Sequence, residues 1–155
     1  MIAKRLILLG VALIMGLSLS YAQENGPIPD IKIRMKTPEE KEYHEYHLQA
    51  VDYYYVREAY DSNDSIPKPE VSITIAFPTI ADEYLLRWIS QSITDMEGEI
   101  LINNKNTGEL LRKLSFGGGR VYSYNESFSD GYSFSTSPQM SISVKEIRFN
   151  DISMY

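Results

Sequence analysis

The sequence predicts a small, mainly β domain: a partly open β-barrel or sandwich with one packed α-helix. Three observations support this fold class. Several segments alternate apolar and polar residues at strand spacing, polar segments rich in Asn, Ser, Gly and Pro separate them, and a single segment has the periodicity of an amphipathic helix.

The chain begins with the pattern of a secretory signal peptide. Lys4 and Arg5 precede the uncharged apolar run 6–20, and Ser20-Tyr21-Ala22 forms the cleavage position. The run is shorter than the roughly 20 residues needed to span a bilayer. We therefore expect residues 1–22 to be removed during export to the periplasm or the cell exterior.

The composition of residues 23–155, the part expected to remain after export, limits the possible functions. Residues 23–30 are polar and proline-bearing and predict a flexible N-terminus, and residues 31–155 are sufficient for one domain. Loss of the leader takes the net charge from −6 to −8, which disfavours binding to nucleic acid. The chain has no cysteine, so its stability has to come from the core or from self-association.

Before the helix, two segments read clearly as strands. Residues 31–35 alternate apolar and basic side chains, and residues 71–77 alternate Val, Ile and Phe with small residues. Residues 42–60 mix helix formers and strand formers, although tyrosine and valine at 51–56 favour a strand. Residues 61–70, with two prolines and short polar side chains, predict a loop.

The predicted helix opens at Pro78-Thr79. Thr79 is the expected N-cap, and the helix is expected to end near Ser92. The expected apolar stripe consists of Ala81, Leu85, Trp88 and Ile89.

After the helix, residues 100–102 and 110–116 predict a hairpin around the turn 103–108. Gly117-Gly118-Gly119 predicts a bend, and residues 121–128 continue in extended form. Residues 129–138 read as a loop, and residues 140–144 as another strand. Ile147 and Phe149 then change parity, which predicts a bulge or a strand that passes between sheets.

No motif predicts catalysis or a cofactor. His44 and His47 would share a helix face and reach a metal together with Glu40 or Glu45, but on a strand they point to opposite sides. A third ligand at a recognisable spacing is absent, so surface histidines are favoured. The glycine run lacks the Lys-Ser/Thr of a phosphate loop. We therefore expect no catalytic residues, no metal and no enzymatic activity.

Trp88 allows an alternative function. Together with tyrosines 53, 54, 55, 122 and 124 it would form a sugar-stacking platform, in which case the protein would be an exported β-sandwich module that binds a glycan or a protein ligand. The favoured interpretation places Trp88 in the core, on the buried stripe of the helix.

Two strand motifs and the helix carry a resemblance to a known family. Residues 123–128 read S-Y-N-E-S-F, residues 140–147 read M-S-I-S-V-K-E-I, and the helix contains Y-L-L-R-W-I at 84–89. In this order they resemble the Hcp (haemolysin-coregulated protein) tube family of type VI secretion systems, in a divergent short form. The resemblance implies an Hcp-like barrel whose copies form hexameric rings that stack into a tube, with secretion-system components or effectors as partners.

The resemblance also implies roles for individual residues. A loop that reaches towards the neighbouring ring corresponds to Asp61, Asn63, Asp64, Ile66, Lys68 and Glu70. The family-motif positions expected in the core are Trp88, Tyr124, Glu126, Phe128, Met140, Ile142 and Val144. Subunits of this family carry no signal peptide, so we expect an exported derivative. If the signal is not used, we expect a cytoplasmic protein that is secreted later.

Overall fold

The computed structural model describes residues 26–57, 69–128, 130 and 137–154. The expected leader and most of the loops predicted at 61–70 and 129–138 lie outside these ranges. Within them the chain forms nine strands and one helix, which confirms a mainly β fold. The elements are β1 (Pro29–Lys36), β2 (His44–Leu48), β3 (Ala50–Val56), β4 (Glu70–Ala76), α1 (Glu83–Ile89), β5 (Met96–Asn104), β6 (Leu110–Asn125), β7 (Gln139–Ser143), β8 (Glu146–Phe149) and β9 (Ile152–Ser153). No helix within the described ranges is long and apolar enough to cross a bilayer.

The described strands form a barrel that no ladder of hydrogen bonds closes. Its strand order is β2-β1-β5-β6-β7-β4-β3, with β8 beside β6 and β9 beside β8, and all pairs are antiparallel. The end strands β2 and β3 are consecutive in the chain, and only Gln49 separates them. The chain itself therefore joins the two ends, which gives the partly open barrel that the sequence predicts.

Long strands connect two layers. The first half of β6 pairs with β5 and β8, and its second half pairs with β7. β7 and β8 follow each other along the same side of β6, with only Val144 and Lys145 between them. The parity change at Ile147 and Phe149 therefore corresponds to a passage between layers, the second of the two predicted alternatives, and not to a bulge.

The glycine run lies where β6 changes layer. The register with β5 shifts between Met96 and Gly98, opposite this run. Gly118 has a φ of +64°, in the left-handed region that disfavours side chains. β6 remains one continuous strand through the run, so the predicted bend is a bulge inside a long strand.

The helix begins later than the sequence predicts. Asp82, not Thr79, is the N-cap, and its Oδ1 accepts a hydrogen bond from the Leu85 amide at 2.9 Å. Asp82 Oδ2 also accepts a bond from the Tyr46 hydroxyl at 2.9 Å, so a contact with β2 selects this carboxylate as the cap. The helix ends at Ile89, with Ser90 as the C-cap.

The core lies between the two layers and under the helix. Trp88, 1% exposed, is the largest buried side chain, and its Nε1 donates to the Gly119 carbonyl at 3.2 Å. This bond joins the helix to the bend in β6. Each layer contributes buried residues, which include Ile33, Met35, Ile73, Ile75, Ile100, Leu114, Met140, Ile142 and Ile147.

Candidate functional site

One layer is a four-stranded sheet with two open borders. It consists of β3, β4, β7 and residues 120–125 of β6, in the order β3-β4-β7-β6. In the described part of the chain, β3 pairs only with β4, and residues 120–125 pair only with β7. Unpaired borders expose backbone donors and acceptors that can pair with another strand. We call this layer the four-stranded sheet.

The hydrogen-bond pattern shows which amides face the open border at β3. The Phe77 amide donates to the Pro138 carbonyl of the strand region leading into β7, so alternate β4 residues turn towards β7 and the others towards β3. Ala50, Asp52, Tyr54 and Val56 therefore bond to β4. The backbone groups of Val51, Tyr53 and Tyr55 point away from the sheet.

The outward face of the four-stranded sheet is rich in small hydroxyls. Ser72, Thr74, Ser141 and Ser143 alternate with core-side apolar residues, and Ser123 lies opposite Ser141; we call these five residues the hydroxyl face. Thr74 and Ser141 lie in one cross-strand row, with their hydroxyl oxygens 3.0 Å apart. Tyr54 and Tyr122, 58% and 61% exposed, flank this face on β3 and β6.

The other layer has a charged outward face. β2, β1, β5, the first half of β6, β8 and β9 form it, and we call it the charged sheet. Cross-strand ion pairs join Lys32 to Glu45 (3.0 Å), Lys36 to Glu97 (2.9 Å) and Lys113 to Glu99 (2.8 Å). The hydrogen bonds that Lys36 donates to Glu97 and Lys113 donates to Glu99 raise the pKa of each lysine. The two layers therefore present different chemistry: paired charges on one, and mainly small hydroxyls on the other, with the charged residues Asp52, Glu70 and Arg120 at its margins.

An ionic junction lies where β6 enters the four-stranded sheet. The Asp95 carboxylate contacts Arg120 at 3.0 Å and Lys145 at 2.8 Å, and it thereby links the segment after α1 to β6 and to the β7–β8 connection. Hydrogen bonds from Arg120 and Lys145 lower the pKa of Asp95 to about 2. Sequence reasoning missed this junction, because its members lie 25 and 50 positions apart and no local pattern relates them.

The two histidines lie on opposite sides of β2. The His44 ring stacks on Tyr84 with the ring centroids 3.6 Å apart, and its Nε2 is 3.8 Å from Glu40. His47 lies on the outer side, 3.7 Å from Asp30. They cannot bind one ion together, and no group of three or more His, Cys, Asp or Glu in the described ranges is placed to bind a metal.

The structure separates the residues of the sugar-stacking alternative. Trp88 is buried, and Tyr53 and Tyr55 lie on the core side of β3, where Tyr53 packs 5.0 Å from the Phe149 ring. Tyr54 and Tyr122 lie on the outer side. These side chains do not share one accessible surface, so the expected aromatic platform is not formed.

The family-motif positions occupy different environments. Trp88, Met140 and Ile142 are buried, and Tyr124, Glu126 and Val144 are partly buried. The Tyr124 hydroxyl donates to Glu126 at 2.7 Å, and burial together with this bond raises the pKa of Tyr124 to about 12. Phe128 lies after the end of β6 and is 67% exposed, so it is outside the core in which the sequence placed it.

The expected ring-stacking loop is described only at its end. Asp61, Asn63, Asp64, Ile66 and Lys68 lie outside the described residues, and Glu70 is the exposed first residue of β4, opposite Val56. In the described residues the candidate site therefore consists of the two open borders and the two outer faces. The ring-stacking role of the loop remains a prediction.

Comparisons with known proteins agree with this architecture. The structure of Hcp1 from Flavobacterium johnsoniae matches with a TM-score of 0.58 and 15% identity, over 79% of this chain and 97% of that one. Hcp1 from Salmonella typhimurium matches with a TM-score of 0.57 and 15% identity, over 78% and 85%. A chain of the PVC sheath-tube complex, an extracellular contractile injection system, matches with a TM-score of 0.54 and 15% identity, over 85% and 95%.

These structural matches establish the fold at low sequence identity. A comparison with curated protein sequences finds no match. The sequence profile of the family described as hemolysin coregulated protein Hcp (TssD), however, matches residues 31–155, which is most of the chain and confirms the predicted resemblance. The chain therefore belongs to the Hcp (TssD) family.

Proposed function

We propose that this protein is a non-enzymatic structural subunit whose copies close a hexameric ring, and that the rings stack into a tube. The observation that supports this most directly is the pair of open borders on the four-stranded sheet. The Hcp family profile and the likeness to a chain of a sheath-tube complex support the tube.

The borders suit pairing between copies because of strand direction. β3, β4, β7 and residues 120–125 of β6 alternate in direction, so the two border strands run oppositely. When β3 of one copy lies beside residues 120–125 of the next, the antiparallel order continues without interruption. This contact joins two different surfaces, and a head-to-tail contact of this kind forms a closed ring when the rotation between copies closes.

Ring closure also explains how a chain without cysteine would manage its open borders. The border amides of Val51, Tyr53 and Tyr55 would gain backbone partners, and no disulfide is needed to hold the copies together. With the borders used in this way, one outward layer faces the channel of the ring. We assign the hydroxyl face to that wall, because a surface of small hydroxyls, with Asp52, Glu70 and Arg120 only at its margins, lets a protein cargo pass with little ion pairing.

We further propose that the protein is exported with a cleaved leader at residues 1–22, as the sequence predicts. N-terminal sequencing of the protein recovered from the native host tests this. A start at Gln23 supports export, whereas an intact Met1 contradicts it.

Ring formation is tested by native mass spectrometry of the protein from Gln23 onward, with two variants of one residue. Tyr53→Pro removes both the packing of the Tyr53 side chain on Phe149 and the backbone amide that faces the open border. Tyr53→Ala removes only the side chain. We expect a hexamer for the wild type and for Tyr53→Ala, and loss of the hexamer for Tyr53→Pro. Circular dichroism checks that both variants fold.

A strictly monomeric wild-type protein at high concentration would refute the proposal. A hexamer that survives in folded Tyr53→Pro would show that β3 is not the contact.

A further inference from the structure

A third open strand, in addition to the two borders of the four-stranded sheet, lies on the charged sheet at β2. β2 pairs with β1 alone among the described strands, and the four-stranded sheet and its proposed ring contact do not include it. On its free side β2 faces the segment that leads from β4 to α1. The Gln49 amide, just after β2, donates to the Ala76 carbonyl at 2.8 Å. From this bond back along β2 the two stretches of chain diverge, and in the described ranges no backbone hydrogen bond joins them there.

The backbone pattern identifies the free groups on β2. The Lys105 amide donates to the Ile28 carbonyl, which continues the register between β1 and β5. By alternation, Ile31, Ile33 and Met35 turn their backbone groups towards β2, where they meet Leu48, Tyr46 and His44. The amides and carbonyls of Glu45 and His47 therefore point away from β1, towards the free side.

A groove of about 260 Å³ lies along this free side. Pro78 and Ile80 supply its exposed apolar lining over the buried Phe77 and Leu85, and Glu45, Tyr46 and His47 form the opposite wall. The groove therefore combines unpaired strand groups with an apolar surface. These two features are what an added strand uses, the first for affinity and the second for side-chain specificity.

The charge of the groove indicates the kind of strand. Its lining contains the carboxylates of Glu45 and Asp82 and no Lys or Arg of the described chain. Asp82 accepts bonds from Tyr46 and from the Leu85 amide, neither of which carries a positive charge. Glu45 pairs with Lys32 of the neighbouring β1 on the outer face of the charged sheet. A cationic segment is complementary to this lining, whereas an acidic one is repelled.

We propose that this groove binds an extended, cationic segment of a partner protein, which adds a strand to β2. Its apolar side chains pack against Pro78 and Ile80, and its cationic side chains lie near the carboxylates of Asp82 and Glu45. The proposal concerns a surface separate from the proposed ring contact and does not depend on it.

Fluorescence anisotropy with a labelled hexapeptide, acetyl-Lys-Val-Lys-Val-Lys-Val-amide, tests the proposal. We expect saturable binding to the wild type. N-methylation of alternate peptide residues removes the donors that a strand needs, and replacing Lys by Glu reverses the charge, so each change is expected to weaken binding at least about tenfold.

Two protein variants form a matched pair. Ile80 and Leu86 are each 48% exposed, but only Ile80 lines the groove. Ile80→Lys is expected to weaken binding at least about tenfold, and Leu86→Lys to change it less than about twofold. Thermal unfolding of both variants confirms that they fold.

Failure of the folded wild type to bind the peptide overturns the proposal, as does binding that survives N-methylation or Ile80→Lys. If Ile80→Lys instead changes the mass of the self-assembled protein, the groove is a contact between copies, and the proposal is likewise overturned. Tyr53→Pro, which tests the ring, is expected to leave peptide binding unchanged, so the two proposals fail separately.

Discussion

Replacement of Trp88 by Phe measures how strongly the helix is held to the bend in β6. Trp88 is 1% exposed, and its Nε1 donates to Gly119 at 3.2 Å. Phe keeps an aromatic ring but leaves the Gly119 carbonyl without this donor, which costs about 1–3 kcal/mol for a buried acceptor. The smaller ring adds a cavity term of about 1 kcal/mol. We expect the free energy of unfolding to fall by about 2–4 kcal/mol.

Urea denaturation followed by far-UV circular dichroism measures this change without depending on tryptophan fluorescence. Two protein concentrations separate intrinsic stability from any contribution of self-association. Tyr122→Phe is the control, because Tyr122 is 61% exposed, and we expect a change within about 0.5 kcal/mol. A loss below about 0.5 kcal/mol for Trp88→Phe would refute the reasoning, since the helix would then not depend on this bond or on the packing of the indole.

Three further changes have defined outcomes. Gly118→Ala places a Cβ 2.6 Å from the Lys145 side chain at a φ of +64°, so we expect the free energy of unfolding to fall by about 1–2 kcal/mol in the same assay. Gly26→Ala, whose Cβ meets open space, is the control and is expected to leave it unchanged. The pKa of Asp95 in the folded protein, about 2, lies below its ordinary value of 3.8. Its contribution to the free energy of unfolding is therefore present above about pH 4 and is lost as the pH falls towards 2. Asp95→Asn is expected to flatten this part of the curve of stability against pH. An unchanged curve would contradict that account. Lys113→Met breaks the ion pair with Glu99, in which both side chains are 27% exposed. We expect the free energy of unfolding to fall by less than about 1 kcal/mol, and by less still at a salt concentration of about 1 M. A larger loss that does not depend on salt would show that packing of the Lys113 side chain dominates.

Local pattern was sufficient for most strands and for the passage between layers. The alternation at 71–77 predicted β4, and the parity change at Ile147 and Phe149 predicted either a bulge or a passage between layers, of which the structure shows the passage. The N-cap was predicted at Thr79 because Thr and Asp both satisfy the local capping rule. The bond between Tyr46 and Asp82, 36 residues apart, favours Asp82 and is invisible to local reasoning.

The candidate site was less predictable because it depends on strand order. Which strands remain open is set by pairings between distant segments, such as β4 with β7 and β6 with β8. The division at Gln49 and the two-residue strand β9 also left no periodic signal. Phe128 was assigned to the core from its motif, but β6 ends at Asn125, so the alternation that would bury it no longer applies.

A single residue, Gln49, links β2 to β3 and so makes the barrel sensitive to proteolysis at this position. Gln49 is exposed, and it connects the two ends of the strand order. A protease cut there would leave β2 in a ladder with β1 alone and β3 in a ladder with β4 alone. The covalent link between the two ends of the strand order would be lost, while every ladder and side-chain contacts such as that of Tyr46 with Asp82 remained. Resistance of Gln49 to limited proteolysis is therefore a direct gauge of how firmly the closed shape is kept.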